Sequence, residues 1–267
     1  SYSPDNYTDN FGQLGGTVAY ISARGIAVVT AGSVASNSTI LMLSLSALAS
    51  ITGGNVAYGC SALATLALPA LASITGGYVV YGCAAIATLA LPALASIGTS
   101  DAPFNAQFSA LSNTCANLTS ASLPVLKYIN AVNYNNTDGR QLFVATLKLI
   151  TLTLPSLQSA NFITARNITS LTLGGNKYEN ATDVIDVSGS YANTSLTSLT
   201  VGQGFAINLT LKGCDALTHD VLVAIIANLA NQTTDVPLTL KLDSVLIALL
   251  SAGEIAVATN KNWNVII

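Results

Sequence analysis

The sequence predicts an α/β solenoid: passes of chain stacked on one parallel β-sheet, with a mostly irregular convex side and helices in the last passes. Three observations carry this expectation. Residues 50–72 and 73–95 are nearly one string written twice, SITGGNVAYGCSALATLALPALA and SITGGYVVYGCAAIATLALPALA, a period of 23 residues. A unit this short cannot enclose a core alone and must bury its apolar side against its neighbours. Each unit carries a Leu-x-Leu pair of period two, which points both side chains to one side of a short strand. Signals for helix starts gather in the last third of the chain.

The apolar skeleton of the first copy is Leu63, Leu66, Leu68, Leu71 and Ile74; that of the second is Ile86, Leu89, Leu91, Leu94 and Ile97. Pro69 and Pro92 follow the Leu-x-Leu pairs and stop the strands, because proline has no N–H to donate. The glycine pairs Gly53-Gly54 and Gly76-Gly77 read as repeat turns needing positive φ. The pattern continues more loosely at Leu43 and Leu45, Leu123, Leu152 and Leu154, Leu171 and Leu173, Leu199 and Val201, Leu209 and Leu211, Leu238 and Leu240, and Val265 and Ile267. All are expected on one spine. Segments 98–114 and 130–146 read as insertions, and the short step from Val201 to Leu211 as a candidate hairpin. Residues 1–16 are polar and turn-rich, an arm or linker that could reach a neighbouring subunit. The solenoid then spans 17–267, with 17–40 as its N-terminal cap region and 241–267 as its C-terminal cap.

The Leu-Pro-x-Leu-x-x-Ile spacing with its preceding Gly59-Cys60 and Gly82-Cys83 resembles the leucine-rich repeats of bacterial BspA-type surface proteins, including related phage-borne repeats. Leu209-x-Leu211-x-x-Cys214-x-x-Leu217 is similar to repeats of the ribonuclease-inhibitor class, and EIAVATNKNW (254–263) resembles a terminal repeat of such proteins. The resemblance covers roughly 40–267. It implies a surface-exposed, non-catalytic binding or structural role and names no ligand.

Charge is scarce: 8% of residues are charged and the net charge is −3, against about 25% charged in ordinary domains. No basic footprint for nucleic acid exists, and no apolar run is long enough to span a membrane. Solubility then has to come from Ser, Thr and Asn, from glycans, or from burial in an assembly. Nine N-x-S/T sequons occur, at Asn6, Asn37, Asn117, Asn135, Asn167, Asn180, Asn193, Asn208 and Asn231. Two readings stand: an Asn- and Thr-rich solenoid produces sequons by accident, or this is a secreted glycoprotein. The chain begins at Ser1 and not at methionine, as expected of a processed or partial chain; a removed secretion signal fits the same start.

Cys60, Cys83 and Cys115 occupy one equivalent position on successive passes. Stacked strands about 4.8 Å apart bring a Cys60–Cys83 disulfide within reach; the alternative is a ladder of reduced, buried thiols. Cys214 is expected to be structural. Thr218 caps a helix over 219–230 with Asp220 in its first turn, Ser251 and Glu254 form a capping box for a helix near 252–259, and 245–250 holds a short helical turn. Trp263 is read as sealing the last core layer, with a ligand platform as the alternative. Tyr58, Tyr78 and Tyr81 are placed on the turn opposite the strands, either packing it or forming an aromatic edge for lateral contacts.

No catalytic constellation emerges. His219 is the only histidine, so base-assisted nucleophilic chemistry would have to use that one residue. Asp183 and Asp186 read as a solvated loop or a weak cation site. No cofactor or metal is expected. The outward residues beside the core leucines, Thr65, Ala67, Thr88, Ala90, Thr151, Thr153, Thr172, Ser198 and Thr200, make a small, neutral, hydroxyl-rich face without aromatic or charged anchors. The expectation is a non-enzymatic structural subunit of a surface fibre, coat or virion appendage, extracellular and contacting copies of itself. The alternative is an adhesin whose insertions bind a host protein or glycan through Phe104, Phe108, Tyr128, Tyr134 and Arg140.

Overall fold

The computed structural model describes residues 20–36, 39–98, 104–106, 111–129, 131–133, 143–144, 149, 151–160, 168–177, 184–187, 195–232 and 236–267. They form mostly parallel strands in several sheets, with three helices among the described residues. Among the described residues every strand pairing is parallel, and strands join their equivalents on the next pass of the chain. Ser50 pairs with Ser73 and Ser73 with Ser96, and Thr52 reaches back to the Val29 carbonyl, 23 residues earlier.

The expected single sheet is corrected to three tracks of strands. The first holds Tyr20–Ala23, Met42–Leu45 and Thr65–Ala67 in one sheet, then Thr88–Ala90, Ser120–Ser122, Thr151–Leu154, Ser170–Leu173 and Ser198–Val201 in another. The second is a ten-stranded sheet from Val28–Val29 through Ser50–Ile51, Ser73–Ile74 and Ser96–Ile97 to Asn208–Thr210, Leu238–Lys241 and Trp263–Ile266. The third holds Ser33–Ser36, Asn55–Tyr58, Tyr78–Tyr81, Ser112–Asn113 and Phe143–Val144. The extra tracks escape a pattern search for a physical reason. A second-track Ser-Ile strand shows one inward side chain, too few for any period, and third-track strands bury adjacent residues such as Val56 and Ala57 or Val79 and Val80, which breaks the alternation.

Leu209, Leu240 and Val265 do not extend the Leu66 track; they belong to the second, above Ile51, Ile74 and Ile97. The step from Val201 to Leu211 is no hairpin. Its two strands lie in different sheets, and the chain turns between them at Gly204, φ +77°.

Inside the passes lies one apolar cluster. Leu43, Leu45, Leu48, Ile51, Leu71, Ile74, Leu91 and Leu94 are wholly buried, and the cluster continues to Trp263. The corners permit this spacing. Gly77 has φ +76°, and a Cβ there would run into the Gly54 carbonyl one pass below, so only glycine satisfies both backbone and neighbour. Its partner Gly76 needs only the space, because a Cβ would meet the Thr52 carbonyl at 2.6 Å.

Helices appear at the three expected places, two of them at the caps that the sequence marks. Helix α1 spans His219–Asn228, and its Thr218 cap accepts from the Val221 N–H at 3.5 Å. Helix α2, Ser244–Ala248, is capped by Asp243, which accepts from the Val245 and Leu246 amides, each at 3.0 Å. Helix α3, Ala252–Asn260, opens with the reciprocal Ser251–Glu254 capping box. Helix α1 packs on Ser198–Val201 and α3 on Trp263–Ile266, and the two helices touch each other.

Candidate functional site

The outward side of the first track is a two-file array. Thr88, Ser120, Thr151, Ser170 and Ser198 stand in register in one file; Ala90, Ser122, Thr153, Thr172 and Thr200 stand in the other. Between the files, Leu89, Ala121, Leu152, Leu171 and Leu199 point inward and are buried. The sequence placed most of these hydroxyls correctly. It missed Ser120 and Ser122, which flank Ala121 where the other strands carry leucine, and Ser170, which opens the strand whose Thr172 it placed. Flanking this face, Thr119 donates to the Ala87 carbonyl and Thr197 to the Thr169 carbonyl, both at 3.2 Å, stitching one pass to the next.

Cys60, Cys83 and Cys115 form a column of buried thiols with no disulfide among them, so the candidate Cys60–Cys83 bridge is not made. The Cys83 Sγ–H lies 3.5 Å from the Tyr81 carbonyl, and that of Cys60 lies 3.6 Å from the Tyr58 carbonyl. Hydrogen bonding with the Cys115 and Cys60 thiols, reinforced by burial, pushes the Cys83 thiol far up. A thiol held neutral this way is a poor nucleophile and a poor metal ligand. Cys214 behaves alike: burial, then the carboxylates of Asp215, Asp243 and Asp186, push it up to about 12. Asp186 lies in the strand Val184–Asp186, while Asp183 falls outside the described residues. No group of three or more His, Cys, Asp and Glu is placed to hold a metal among the described residues.

The tyrosines sit on third-track strands and not on a turn, another correction. Tyr58 and Tyr81 pair in register and stack at 4.6 Å with 10° between ring planes. Tyr78 meets Tyr81 edge-on at 5.6 Å. Burial, then the neighbouring Tyr81 and Tyr58, push the Tyr78 phenol up to about 12. Tyr58 at 36% exposed is the open member of this cluster.

Trp263 is 1% exposed, stacks on Phe205 at 6.4 Å and donates its indole N–H to the Ala230 carbonyl at 2.9 Å. That geometry leaves no open ring face for a ligand platform. Lys261, which sequence reading passed over, donates to the carbonyls of Ile226, Ala227 and Leu229 at 3.0, 2.7 and 3.0 Å. Nothing in the local sequence signals it, because its acceptors lie a whole pass earlier.

Of the proposed contact residues, Tyr128 is half-buried in the second track, between Ser96 and Ser159. Phe104 lies in the strand Phe104–Ala106, which pairs with Ala131–Asn133, so the two insertions meet in a ladder of their own. Phe108, Tyr134 and Arg140 lie outside the described residues. So do six sequon asparagines: Asn6, Asn37, Asn135, Asn167, Asn180 and Asn193. Asn117 and Asn231 are exposed, whereas Asn208 sits within the second track and accepts from the Thr239 N–H at 2.8 Å. No helix among the described residues is long and apolar enough to cross a membrane.

Comparison of the chain with protein-family models, with curated proteins and with solved structures yields no match.

Proposed function

We propose that the chain is a leucine-rich repeat solenoid of the kind its BspA-like motifs suggest, working outside the cell as a non-enzymatic structural subunit of a surface fibre, coat or virion appendage. The observation that carries this reading is the in-register hydroxyl array over successive passes of one apolar spine. Such a surface suits extended contact with a partner of matching repeat, above all a second copy. It lacks the buried aromatic or arginine anchor that a discrete ligand pocket uses. Low charge supports the same reading, since little repulsion opposes association. The test is light scattering with electron microscopy across a concentration series. Ordered, concentration-dependent assemblies are expected, and dispersed monomers at the highest concentration would refute the reading.

A second reading is adhesion, to a host protein or glycan, through the insertions. It is favoured by one observation, the pairing of Phe104–Ala106 with Ala131–Asn133, which joins two insertions into one feature. Deleting 130–140 should then abolish binding to host cells and leave the circular dichroism spectrum intact; undiminished binding would rule it out.

A further inference from the structure

We propose that His219, clamped between Asp220 and Glu254, is a pH-operated clasp that ties helix α1 to helix α3 and so fixes the last pass of the chain onto the one before it.

His219 is the first residue of α1 and the only histidine of the chain. Its Nε2 lies 2.8 Å from Glu254 Oε1, across 35 residues of sequence, and its Nδ1 lies 3.2 Å from Asp220 Oδ1. Both ring nitrogens therefore face carboxylate oxygens, which accept and do not donate. A neutral imidazole carries one N–H and can satisfy one of them; only the imidazolium donates to both. Deprotonation turns one contact from a hydrogen bond into a lone pair set against an anion.

Glu254 is a shared element. Its Oε2 accepts from the Ser251 amide at 2.7 Å and the Ser251 hydroxyl at 2.8 Å, closing the capping box of α3, while its Oε1 holds the imidazole. One carboxylate thus caps one helix and reaches the start of another. Elsewhere around His219, the strand Ser198–Val201 under α1 brings no titratable group and α3 brings Glu254 alone, so among the described residues Asp220 and Glu254 are the charges that act on it.

The direction of response follows. The hydrogen bonds to Asp220 and Glu254 hold the imidazole above its ordinary value, and the Ser251 and His219 contacts hold Glu254 below the ordinary carboxylate value. A group raised on folding contributes stability below its unfolded midpoint and loses it as pH climbs through the folded one. A lowered carboxylate contributes above its unfolded midpoint and loses that as pH falls. The clasp is therefore fully closed from just above the carboxylate range up to the raised imidazole midpoint, and at higher pH it is weakened to one of its two hydrogen bonds. This is the interval in which histidine alone among ordinary side chains changes charge.

The test uses the whole chain. A lone histidine gives one imidazole signal, whose NMR titration midpoint is expected above 6.5 in the wild type and lower in Glu254→Gln and in Asp220→Asn. Glutamine still serves the capping box, so Glu254→Gln separates the clasp from the cap. In parallel, the melting temperature of the wild type should fall between pH 6 and pH 8 by more than that of His219→Gln, whose side chain does not titrate. A wild-type midpoint at or below the ordinary value, a midpoint unmoved in Glu254→Gln, or equal pH slopes for wild type and His219→Gln would each overturn the proposal.

Discussion

The amino-terminal and carboxy-terminal passes solve one problem in two ways. Both must return the chain from one pass to the next without exposing the spine. From Ser33 to Val144 the described chain returns along a third track of strands, with the stacked Tyr58 and Tyr81 and the Cys60–Cys83–Cys115 thiol column behind them. From His219 onward the flank is helical, with α1 over Ser198–Val201 and α3 over Trp263–Ile266. The second track runs through both regions without changing direction of pairing. The spine is therefore indifferent to what flanks it, and the flank is decided locally. Corners tight enough to need glycine select strands; a Thr, Asp or Ser cap followed by an apolar face selects a helix.

That difference predicts opposite responses to the same substitution, and the first arm has the largest effect. Gly77→Ala places a methyl group where the Gly54 carbonyl stands and asks alanine to hold φ +76°. Strain in the left-handed region and overpacking against a backbone that cannot retreat together cost at least about 3 kcal/mol. A urea midpoint within error of the wild type would show that the strand-flanked passes are not held so closely.

The helical flank has its own point of failure. Lys261 supplies three hydrogen bonds to the carboxyl end of α1, where the helix leaves its last carbonyls without internal partners. Burial pushes the ammonium below the ordinary lysine value, and the three carbonyls offset that cost. Lys261→Met keeps the aliphatic stem and removes the donors. A loss of about 1–3 kcal/mol is expected, with faster hydrogen exchange in α1 and little change in the strands from Ser50 to Tyr81. Uniform loss of protection along the chain would mean that the two flanks do not behave as separable units.

How much of this was legible in the sequence depends on range. Two helix starts were readable because Thr218, Ser251 and Glu254 act within three residues of themselves; the Asp243 cap of α2 is as local and was missed. The inward leucines were readable because a period of two shows within one strand. The second and third tracks were not, because Ser73–Ile74 and Tyr78–Tyr81 gain their meaning only from partners a pass away. The His219–Glu254 contact was hidden likewise: each residue looks like an ordinary helix-start residue, and only the fold brings their side chains within 2.8 Å. The capping box was visible at Ser251 and Glu254, while the second duty of the same carboxylate was not.

The smallest predicted effect completes the comparison and reverses its sign. Gly253 lies in the first turn of α3, where a new Cβ would meet nothing closer than the Ser251 Oγ at 3.9 Å. Its φ is not in the left-handed region, so alanine fits without strain. Gly253→Ala should then stabilise the protein by about 0.4–1 kcal/mol, chiefly by restricting the unfolded chain. The melting temperature should rise by a small amount, with the Ser251–Glu254 cap intact. The same change at Gly77 disrupts the fold because that glycine answers to a neighbour one pass away, whereas Gly253 answers only to its own helix. A Gly253→Ala variant less stable than wild type would place a neighbour against α3 that the described contacts lack, and the distinction between closely stacked strand corners and loosely flanked helices would fail at its helical end.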